Sequence, residues 1–311
     1  MQVWRSLDEI PDDLGPTVVV IGNFDGVHRG HRAVIGLARA IADRDGHRVV
    51  AVTFDPHPMA VLRPEHAPSA LTTLDVRAGL LAGAGVDHVF ALPFSREIAG
   101  WSPEQFVDRV LVEGLHAAVV VVGANFRFGN RAAGDVSTLH ELGESRGFVA
   151  QGVELDGGPQ VWSSTYVRTC LAAGDVAGAA EALARPFAVR GTVVVGDRRG
   201  RELGYPTANV PIGAGMAAPA DGVYAGWLTR TDTGERFPAA ISVGTNPTFA
   251  GDRARRVEAY ALGRTDLELY GVEVEVAFVE RIRGMVRFDG VEPLLETMAD
   301  DVRRTREVLG A

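Results

Sequence analysis

Two histidines three residues apart follow an apolar run near the start of the chain. After Thr17–Ile21 comes Gly22–His31 (GNFDGVHRGH), where glycines interrupt the chain just before a helical pattern begins. The first backbone N–H groups of a helix have no partners within the helix, and the helix dipole adds positive character there. Histidines in that position donate hydrogen bonds to phosphate oxygens as charge develops in a transition state. The segment indicates phosphate chemistry, although either histidine alone would more simply be a solvent-facing residue beside a tight turn.

A second group of glycines precedes a Tyr-Pro-Thr-Ala-Asn segment in the last third of the chain. Glycines let the backbone approach phosphate groups closely, and Thr207 and Asn209 offer side-chain oxygens of the kind that Mg²⁺ prefers. No Gly-Lys-Ser/Thr follows the glycines, which excludes a Walker loop. A glycine-rich hairpin ending in a proline turn is the plainer interpretation of these residues alone. The glycines are Gly191, Gly196, Gly200 and Gly204.

The elements that must position the histidines alternate between strand and helix patterns. Such alternation is typical of a parallel sheet covered on both faces, which binds ligands beyond the carboxyl ends of its strands. Predicted strands are Thr17–Ile21, Arg48–Phe54, His88–Leu92 and Ala118–Val122. Predicted helices are His31–Asp43, Leu74–Gly83 and Ser102–Leu115, the last with Ser102 as N-cap, followed by a helical stretch over Ser164–Ala184.

From about Arg185 onward the pattern changes. Short strand-like runs separated by glycine and proline predict an antiparallel barrel or sandwich. The runs are Gly191–Val195, Gly222–Leu228, Ala239–Val243, Val257–Leu262 and Val272–Phe278. An amphipathic helix over Val291–Val308 is predicted to close the chain.

Composition limits the class of protein. The 311 residues favour two domains, and 46% hydrophobic with 23% charged residues is ordinary for a globular protein. A formal charge of −9, from 40 acidic and 31 basic residues, argues against a nucleic-acid partner. The single cysteine, Cys170, excludes an internal disulfide framework. Without a signal-peptide pattern or an apolar run of about 18 residues, we expect a cytoplasmic protein with no membrane partner.

The His-x-Gly-His segment resembles the signature of the nucleotidyltransferase superfamily, in the form found in bacterial bifunctional riboflavin kinase/FAD synthetases. Three later segments occur in the family order: 53–58 (TFDPHP), 122–129 (VGANFRFG) and 163–168 (SSTYVR). Together the four segments cover the whole first domain. The resemblance implies an α/β, Rossmann-like nucleotidyltransferase domain over residues 1–185. That domain would transfer the adenylyl group of ATP to FMN, giving FAD and pyrophosphate.

The resemblance also implies a role for each matching residue. His28 and His31 would contact the ATP phosphates, Ser164, Thr165 and Arg168 would face them, and the Asn125 loop would hold the flavin. We assign catalysis to His28, His31 and Arg168. The binding residues implied in this domain are Gly22, Phe24, Asp25, Gly26, Asn125, Phe126, Arg127, Phe128, Ser163, Ser164 and Thr165.

The segment 200–209 (GRELGYPTAN) resembles the riboflavin kinase signature. Segments 221–224 (DGVY), 242–249 (SVGTNPTF) and 257–260 (VEAY) follow at the family's spacing. The resemblance implies a riboflavin-kinase-type antiparallel β-barrel with a C-terminal helix over residues 186–311. In it, Glu258 would be the catalytic base for the 5′-hydroxyl of riboflavin. The binding residues implied are Gly196, Gly200, Gly204, Thr207, Asn209, Tyr224 and Asn246, with Thr207 and Asn209 also holding the metal.

The leading hypothesis is one chain with two ATP-dependent enzymes, riboflavin to FMN and FMN to FAD. Mg²⁺ is the implied cofactor; ATP, riboflavin, FMN and FAD are the implied partners, and a homo-oligomer is left open. The alternative is an FMN adenylyltransferase with a weak or inactive kinase domain, because Gly263 stands where relatives commonly have aspartate. An adenylyltransferase for nicotinamide or pantetheine nucleotides would leave the second domain unexplained. A flavin-sensing regulator would need a DNA-binding element, and no helix-turn-helix pattern is seen.

Overall fold

Two units make up the protein. The computed structural model describes residues 1–154, 162–196, 203–245 and 255–311. The units are Met1–Ser164 and Thr165–Ala311. The helical stretch after Ser164 is predicted to belong to the first domain. By its contacts it belongs to the second unit. The domain boundary at 185/186 stays a prediction.

The first unit contains the parallel α/β sheet that the alternating pattern predicts. All strand pairs in it are parallel, in the order β1-β4-β3-β2-β5-β6. The strands are β1 (Gln2–Trp4), β2 (Thr17–Ile21), β3 (Arg48–Phe54), β4 (His88–Leu92), β5 (Ala117–Gly123) and β6 (Val149–Val153). The helices are α1 (Arg29–Asp45), α2 (Pro58–Leu62), α3 (Leu74–Ala82), α4 (Pro103–Phe106, continued as a π-helix over Val107–Gly114) and α5 (Val136–Arg146).

The strand order places a binding crevice beside β2. From β2 the chain adds β3 and β4 on one side and β5 and β6 on the other, so the order reverses between β2 and β5. Ligands of such sheets bind at that reversal, outside the carboxyl ends of the strands. The loops after Ile21 and after Gly123 therefore flank the crevice. The sheet is covered on both faces, since Val18 and Val20 pack in one apolar layer while Val19 and Ile21 pack in the other.

The second unit contains the antiparallel barrel with a C-terminal helix, as predicted. Its strand order is β7-β12-β9-β10-β11-β8, and a bridge between Val194 and Asn209 brings the two edges together, so that the barrel is nearly closed. The strands are β7 (Phe187–Thr192), β8 (Ala208–Pro211), β9 (Gly222–Arg230), β10 (Arg236–Thr245), β11 (Arg255–Ala261) and β12 (Glu273–Arg283). The closing helix is α8 (Val291–Leu309).

The helical stretch predicted over Ser164–Ala184 contains a break. Two helices occupy it, α6 (Ser164–Ala173) and α7 (Val176–Leu183). Gly174 has a left-handed φ of 77°, which a glycine adopts without strain, and it ends α6. Asp175 then caps α7 by accepting a hydrogen bond from the backbone N–H of Gly178 at 2.8 Å.

Candidate active sites

The histidine loop, residues 22–31, joins the carboxyl end of β2 to the first turn of α1. His28 is the N-cap of α1, and its Nδ1 accepts a hydrogen bond from the backbone N–H of His31 at 3.4 Å. The two imidazole rings stack with centroids 3.6 Å apart. The structure thus brings the two histidines together at the N-terminus of a 17-residue helix, where the backbone N–H groups and the dipole favour an anion.

His31 is held in its neutral form. Burial, and then the neighbouring charges of His28 and Arg77, lower the pKa of His31 well below 6.5. Its Nδ1 is buried and, among the residues that the structure describes, has no hydrogen-bond partner. A neutral imidazole keeps one N–H donor and one acceptor nitrogen. This ring can therefore serve a phosphate oxygen without a buried positive charge in the resting protein.

Asp25, assigned to ligand binding from the sequence, lies inside the protein and is 2% exposed. Its carboxylate accepts hydrogen bonds from the backbone N–H groups of Leu71 and Thr72 at 3.0 Å and from the Thr72 hydroxyl at 3.1 Å. The Ser164 hydroxyl donates to the Asp25 carbonyl at 2.8 Å. Asp25 therefore stabilises the histidine loop from within, and Ser164 is brought to that loop.

The backbone of the histidine loop is left-handed at three residues. The φ angles are 49° at Phe24, 82° at Gly26 and 44° at Val27. A left-handed conformation costs about 1–2 kcal/mol for a residue other than glycine. Phe24 is fully buried, so it belongs to the apolar layer, and a methyl group on Gly22 would lie 3.3 Å from its ring. Gly22, Phe24 and Gly26 thus shape the loop.

The loop after β5 mixes exposed polar residues with aromatic residues of the core. Asn125 is exposed beside the crevice edge. Arg127 is exposed as well, and its Nη1 donates to Asp135 at 2.8 Å. Phe128 is buried and stacks on half-buried Phe126 at 5.5 Å between ring centroids. Of the four predicted flavin-binding residues, Asn125 is therefore best placed for a ligand, and Phe128 mainly packs in the core.

The segment 163–168 spans the boundary between the units. Ser163 and Ser164 belong to the first unit, whereas Thr165 and Arg168 lie on α6 in the second. Thr165 is exposed and Arg168 is half-buried. That Thr165 and Arg168 face the histidine loop stays a prediction.

Two cavities in the barrel meet at Thr207 and Asn209. Including their open mouths, the smaller has a volume of about 620 Å³ and the larger about 1250 Å³, and both residues line both cavities. Asn209 is 6% exposed, and its amide nitrogen lies 3.4 Å from the carbonyl and hydroxyl oxygens of Thr207. Gly196 lines the smaller cavity. Gly196 and the two predicted metal ligands therefore line the same cavity.

Glu258 lines the larger cavity in a row of polar side chains across three strands. It is directly opposite Asn209 on β8 and Ser242 on β10. Directly opposed residues of a sheet project from the same face, and all three line this cavity. A carboxylate thus lies at the side of the larger cavity that borders the smaller one.

A second wall of the larger cavity comes from α8 and the segment before it, where the sequence predicts no site residue. Apolar residues dominate this wall: Met285, Val286, Phe288, Leu294, Met298 and Val302. Arg283 joins β12 to α8 by donating from Nε and Nη2 to Asp301, which is 5% exposed, at 2.8 and 2.7 Å. The only sequence signal was the amphipathic pattern of the helix, which does not show what its apolar face covers.

Two other predicted binding residues, Tyr224 and Gly204, line neither cavity. Tyr224 is fully buried in the barrel core, where its hydroxyl donates to the Ala220 carbonyl at 2.6 Å, and it lines neither cavity. Gly204 is exposed with a φ of 87°, so it provides a left-handed turn. Gly200 and Asn246 lie outside the described residues.

Comparison with known proteins gives matches along both units. A family model described as FAD synthetase matches residues 10–165, and one described as riboflavin kinase matches residues 183–309. The bifunctional riboflavin kinase/FMN adenylyltransferase of Pseudomonas fluorescens is 38% identical over 98% of this chain and 97% of its own length. The Escherichia coli K12 protein of the same description is 36% identical, over 94% and 93%.

One solved structure also matches nearly the whole chain. It comes from Streptococcus pneumoniae, is described as a macrolide-efflux protein, and is 30% identical with a TM-score of 0.87 over 98% of each chain.

In the part of this chain that the structure describes, no helix is both long enough and apolar enough to cross a membrane. Within the same residues, no group of three or more His, Cys, Asp or Glu side chains could hold a metal ion.

Proposed function

The chain belongs to the bifunctional riboflavin kinase/FMN adenylyltransferase family, and we propose that its two sites divide the two activities between the units. The histidine loop serves adenylyl transfer from ATP to FMN, and the paired barrel cavities serve riboflavin phosphorylation. The observation that supports this division best is that Thr207 and Asn209 line both barrel cavities while Glu258 lines the larger one.

In the adenylyl-transfer site, a phosphate oxygen of FMN attacks the α-phosphorus of ATP, and pyrophosphate leaves. The reaction needs no protein nucleophile, so catalysis consists of positioning and charge stabilisation. His28 and His31 donate to phosphate oxygens beside the helix N-terminus, with Ser163, Ser164, Thr165 and Arg168 as further phosphate contacts. Asn125, on the other side of the crevice, hydrogen-bonds to the flavin.

In the kinase site, ATP occupies the smaller cavity and riboflavin the larger. The apolar wall from α8 suits the flat isoalloxazine ring. Glu258 takes the proton of the 5′-hydroxyl as that oxygen attacks the γ-phosphorus of ATP, the bond to the β,γ-bridging oxygen breaks, and ADP leaves. The transfer then occurs beside Thr207 and Asn209, where the cavities meet. Arg283 and Asp301 hold α8 in place as the wall of the riboflavin cavity.

The residues at this junction fit Mg²⁺. Thr207 and Asn209 offer neutral oxygens, and Mg²⁺ in phosphoryl-transfer sites keeps several waters and binds few protein groups besides the substrate phosphates. That mode of binding does not require a group of three or more His, Cys, Asp or Glu ligands, and the described residues contain no such group that could hold a metal ion. When bound, the ion neutralises charge on the ATP phosphates.

The alternative of a weak kinase rests on Gly263. Gly263 has a φ of 72°, a left-handed conformation that glycine adopts freely. A methyl group there would have Arg306 Nη2, at 3.8 Å, as its nearest neighbour. The backbone conformation thus accounts for the glycine, and we favour a working kinase. A cytoplasmic location stays a prediction, and the oligomeric state stays open.

A chromatographic time course tests the two-site proposal. With riboflavin, ATP and Mg²⁺, FMN is expected to rise first and then to pass into FAD. If riboflavin stays unchanged while added FMN becomes FAD, the alternative with an inactive kinase is correct. If neither substrate reacts, the proposed function is wrong.

Replacing Gly196 by alanine is expected to lower kcat/KM for riboflavin phosphorylation about tenfold, because displacing a group beside the reacting atoms slows the transfer. The added methyl would lie 2.6 Å from the Asn209 amide, which must move away from the junction of the cavities. Steady-state kinetics measure the effect. Gly284→Ala is the control, because its methyl would have Arg281 Nη2, at 3.9 Å, as nearest neighbour. Equal kinetics in both variants would contradict the placement of Asn209 beside Gly196.

A further inference from the structure

The conformation of the histidine loop needs support from outside the loop. Phe24 and Val27 are left-handed without being glycine, and Val27 is β-branched, for which such a φ is a genuine outlier. Conformations of this kind persist where the surrounding structure over-determines them, and they gather at functional sites. His28 directly follows Val27, so the orientation of the His28 ring depends on the contacts that stabilise this turn.

Two threonines hold the turn from opposite ends. The Thr53 hydroxyl, at the end of β3, donates to the Asn23 carbonyl at 3.0 Å. The Thr72 hydroxyl accepts from the backbone N–H of Gly26 at 3.3 Å and donates to the Asp25 carboxylate at 3.1 Å. Each hydroxyl is buried or nearly so. Together they fix the backbone on both sides of Phe24.

Arg77, on α3, joins these two supports. Its Nη1 donates to the Thr53 hydroxyl at 3.1 Å, and its Nη2 donates to the Thr72 carbonyl at 3.4 Å. The same Nη2 lies 3.9 Å from the buried Asp25 carboxylate, and the Arg77 side chain is 9% exposed. A buried carboxylate is stable only with hydrogen bonds and a compensating charge. Arg77 supplies that charge where the supports meet.

We propose that Arg77 is a positioning residue for FMN adenylylation, which fixes the histidine loop through Thr53, Thr72 and Asp25 so that His28 and His31 meet the phosphates. The inference rests on the proposed role of the histidine loop. Arg77 acts through other residues and touches no substrate. Small displacements of catalytic groups reduce rates strongly, because reacting atoms must be held within a fraction of an ångström. The charge of Arg77 also contributes to keeping His31 neutral.

Arg77→Gln tests this proposal in the full-length protein. We expect kcat for FMN adenylylation to fall about 30-fold, with KM for ATP and FMN within about threefold, because the lost interaction aligns groups without binding substrate. Riboflavin phosphorylation by the same chain should stay within about twofold. Arg77→Lys should restore kcat to within about threefold, since an ammonium keeps the charge and several donors.

Arg39→Gln is the matched control. Arg39 belongs to the same unit and lies on α1, away from the histidine loop, where its Nη1 donates to Asp87 at 2.7 Å. The substitution should leave kcat for FMN adenylylation unchanged. Wild-type kcat in Arg77→Gln would overturn the proposal, as would a change confined to KM. If Arg77→Gln does not fold, the near-isosteric Thr53→Val decides: a kcat reduced about tenfold supports the proposal, and an unchanged kcat overturns it.

A variant without the two histidines distinguishes failure of the Arg77 proposal from failure of the proposed adenylyl-transfer function of the histidine loop. If His28→Ala/His31→Ala retains adenylylation, the proposed function of the loop fails. If that double variant is inactive while Arg77→Gln has wild-type kinetics, only the role of Arg77 fails.

Discussion

The His28→Ala/His31→Ala double variant is expected to lose FAD formation by at least about 10³-fold, while riboflavin is still converted to FMN. Removing a single preorganised donor from a developing anion costs about 10²–10³-fold in kcat. The two rings stack at 3.6 Å and lie at the same helix N-terminus, so both are removed from one site. The FMN that accumulates from riboflavin and ATP, measured by chromatography, provides the internal check that the chain is folded.

Single variants separate catalysis from helix capping at His28. Loss of an N-cap side chain costs about 1 kcal/mol of stability, so His28→Ala combines two effects. Asparagine caps helices well and donates a hydrogen bond, so His28→Asn should keep the fold and part of the activity. His140→Ala, which removes an exposed histidine of α5, is the control. Conversion of FMN to FAD at the wild-type rate by the double variant would refute the assignment of this loop.

The sequence shows candidate site residues more readily than it shows the residues that support them. The two helix-start histidines are close to each other in sequence, and so are Thr207 and Asn209. The spacing within each pair is therefore visible before any fold is known. The parallel and antiparallel classes of the two sheets follow from local periodicity in the same way. The strand order, which places the β2 and β5 loops on one crevice, depends on contacts distant in sequence and had no local signal.

The missed residues share one physical property: their roles depend on tertiary partners. Arg77 is an ordinary arginine in a helix until Thr53 and Thr72 are brought to it. The break at Gly174-Asp175, in contrast, has a local signal, a helix-ending glycine followed by a capping aspartate, which the predicted helical stretch over Ser164–Ala184 did not use. Phe128 shows a different ambiguity, because an aromatic residue in a loop is equally suited to a ligand or to the core, and here it is buried.

Replacing Glu258 by glutamine is expected to slow riboflavin phosphorylation about 10²–10⁴-fold, the usual contribution of a general base. Glutamine has nearly the same shape but does not take up a proton. Glu258 shares one sheet face with Asn209 and Ser242 and lines the larger cavity near its border with the smaller one. A hydroxyl activated there would face a phosphate across the junction, which is the arrangement that a general base for phosphoryl transfer would need.

The same variant should convert FMN to FAD at close to the wild-type rate, because Glu258 lies in the second unit and the proposed adenylylation loop lies in the first. Starting separate reactions from riboflavin and from FMN measures the two steps independently. Glu280→Gln, which removes an exposed glutamate of β12, controls for the loss of a negative charge from the barrel. Kinase turnover within a few-fold of wild type would exclude Glu258 as the base. Equal loss of both activities would mean that the substitution disturbs the fold, because the proposal gives this carboxylate a chemical role in riboflavin phosphorylation only.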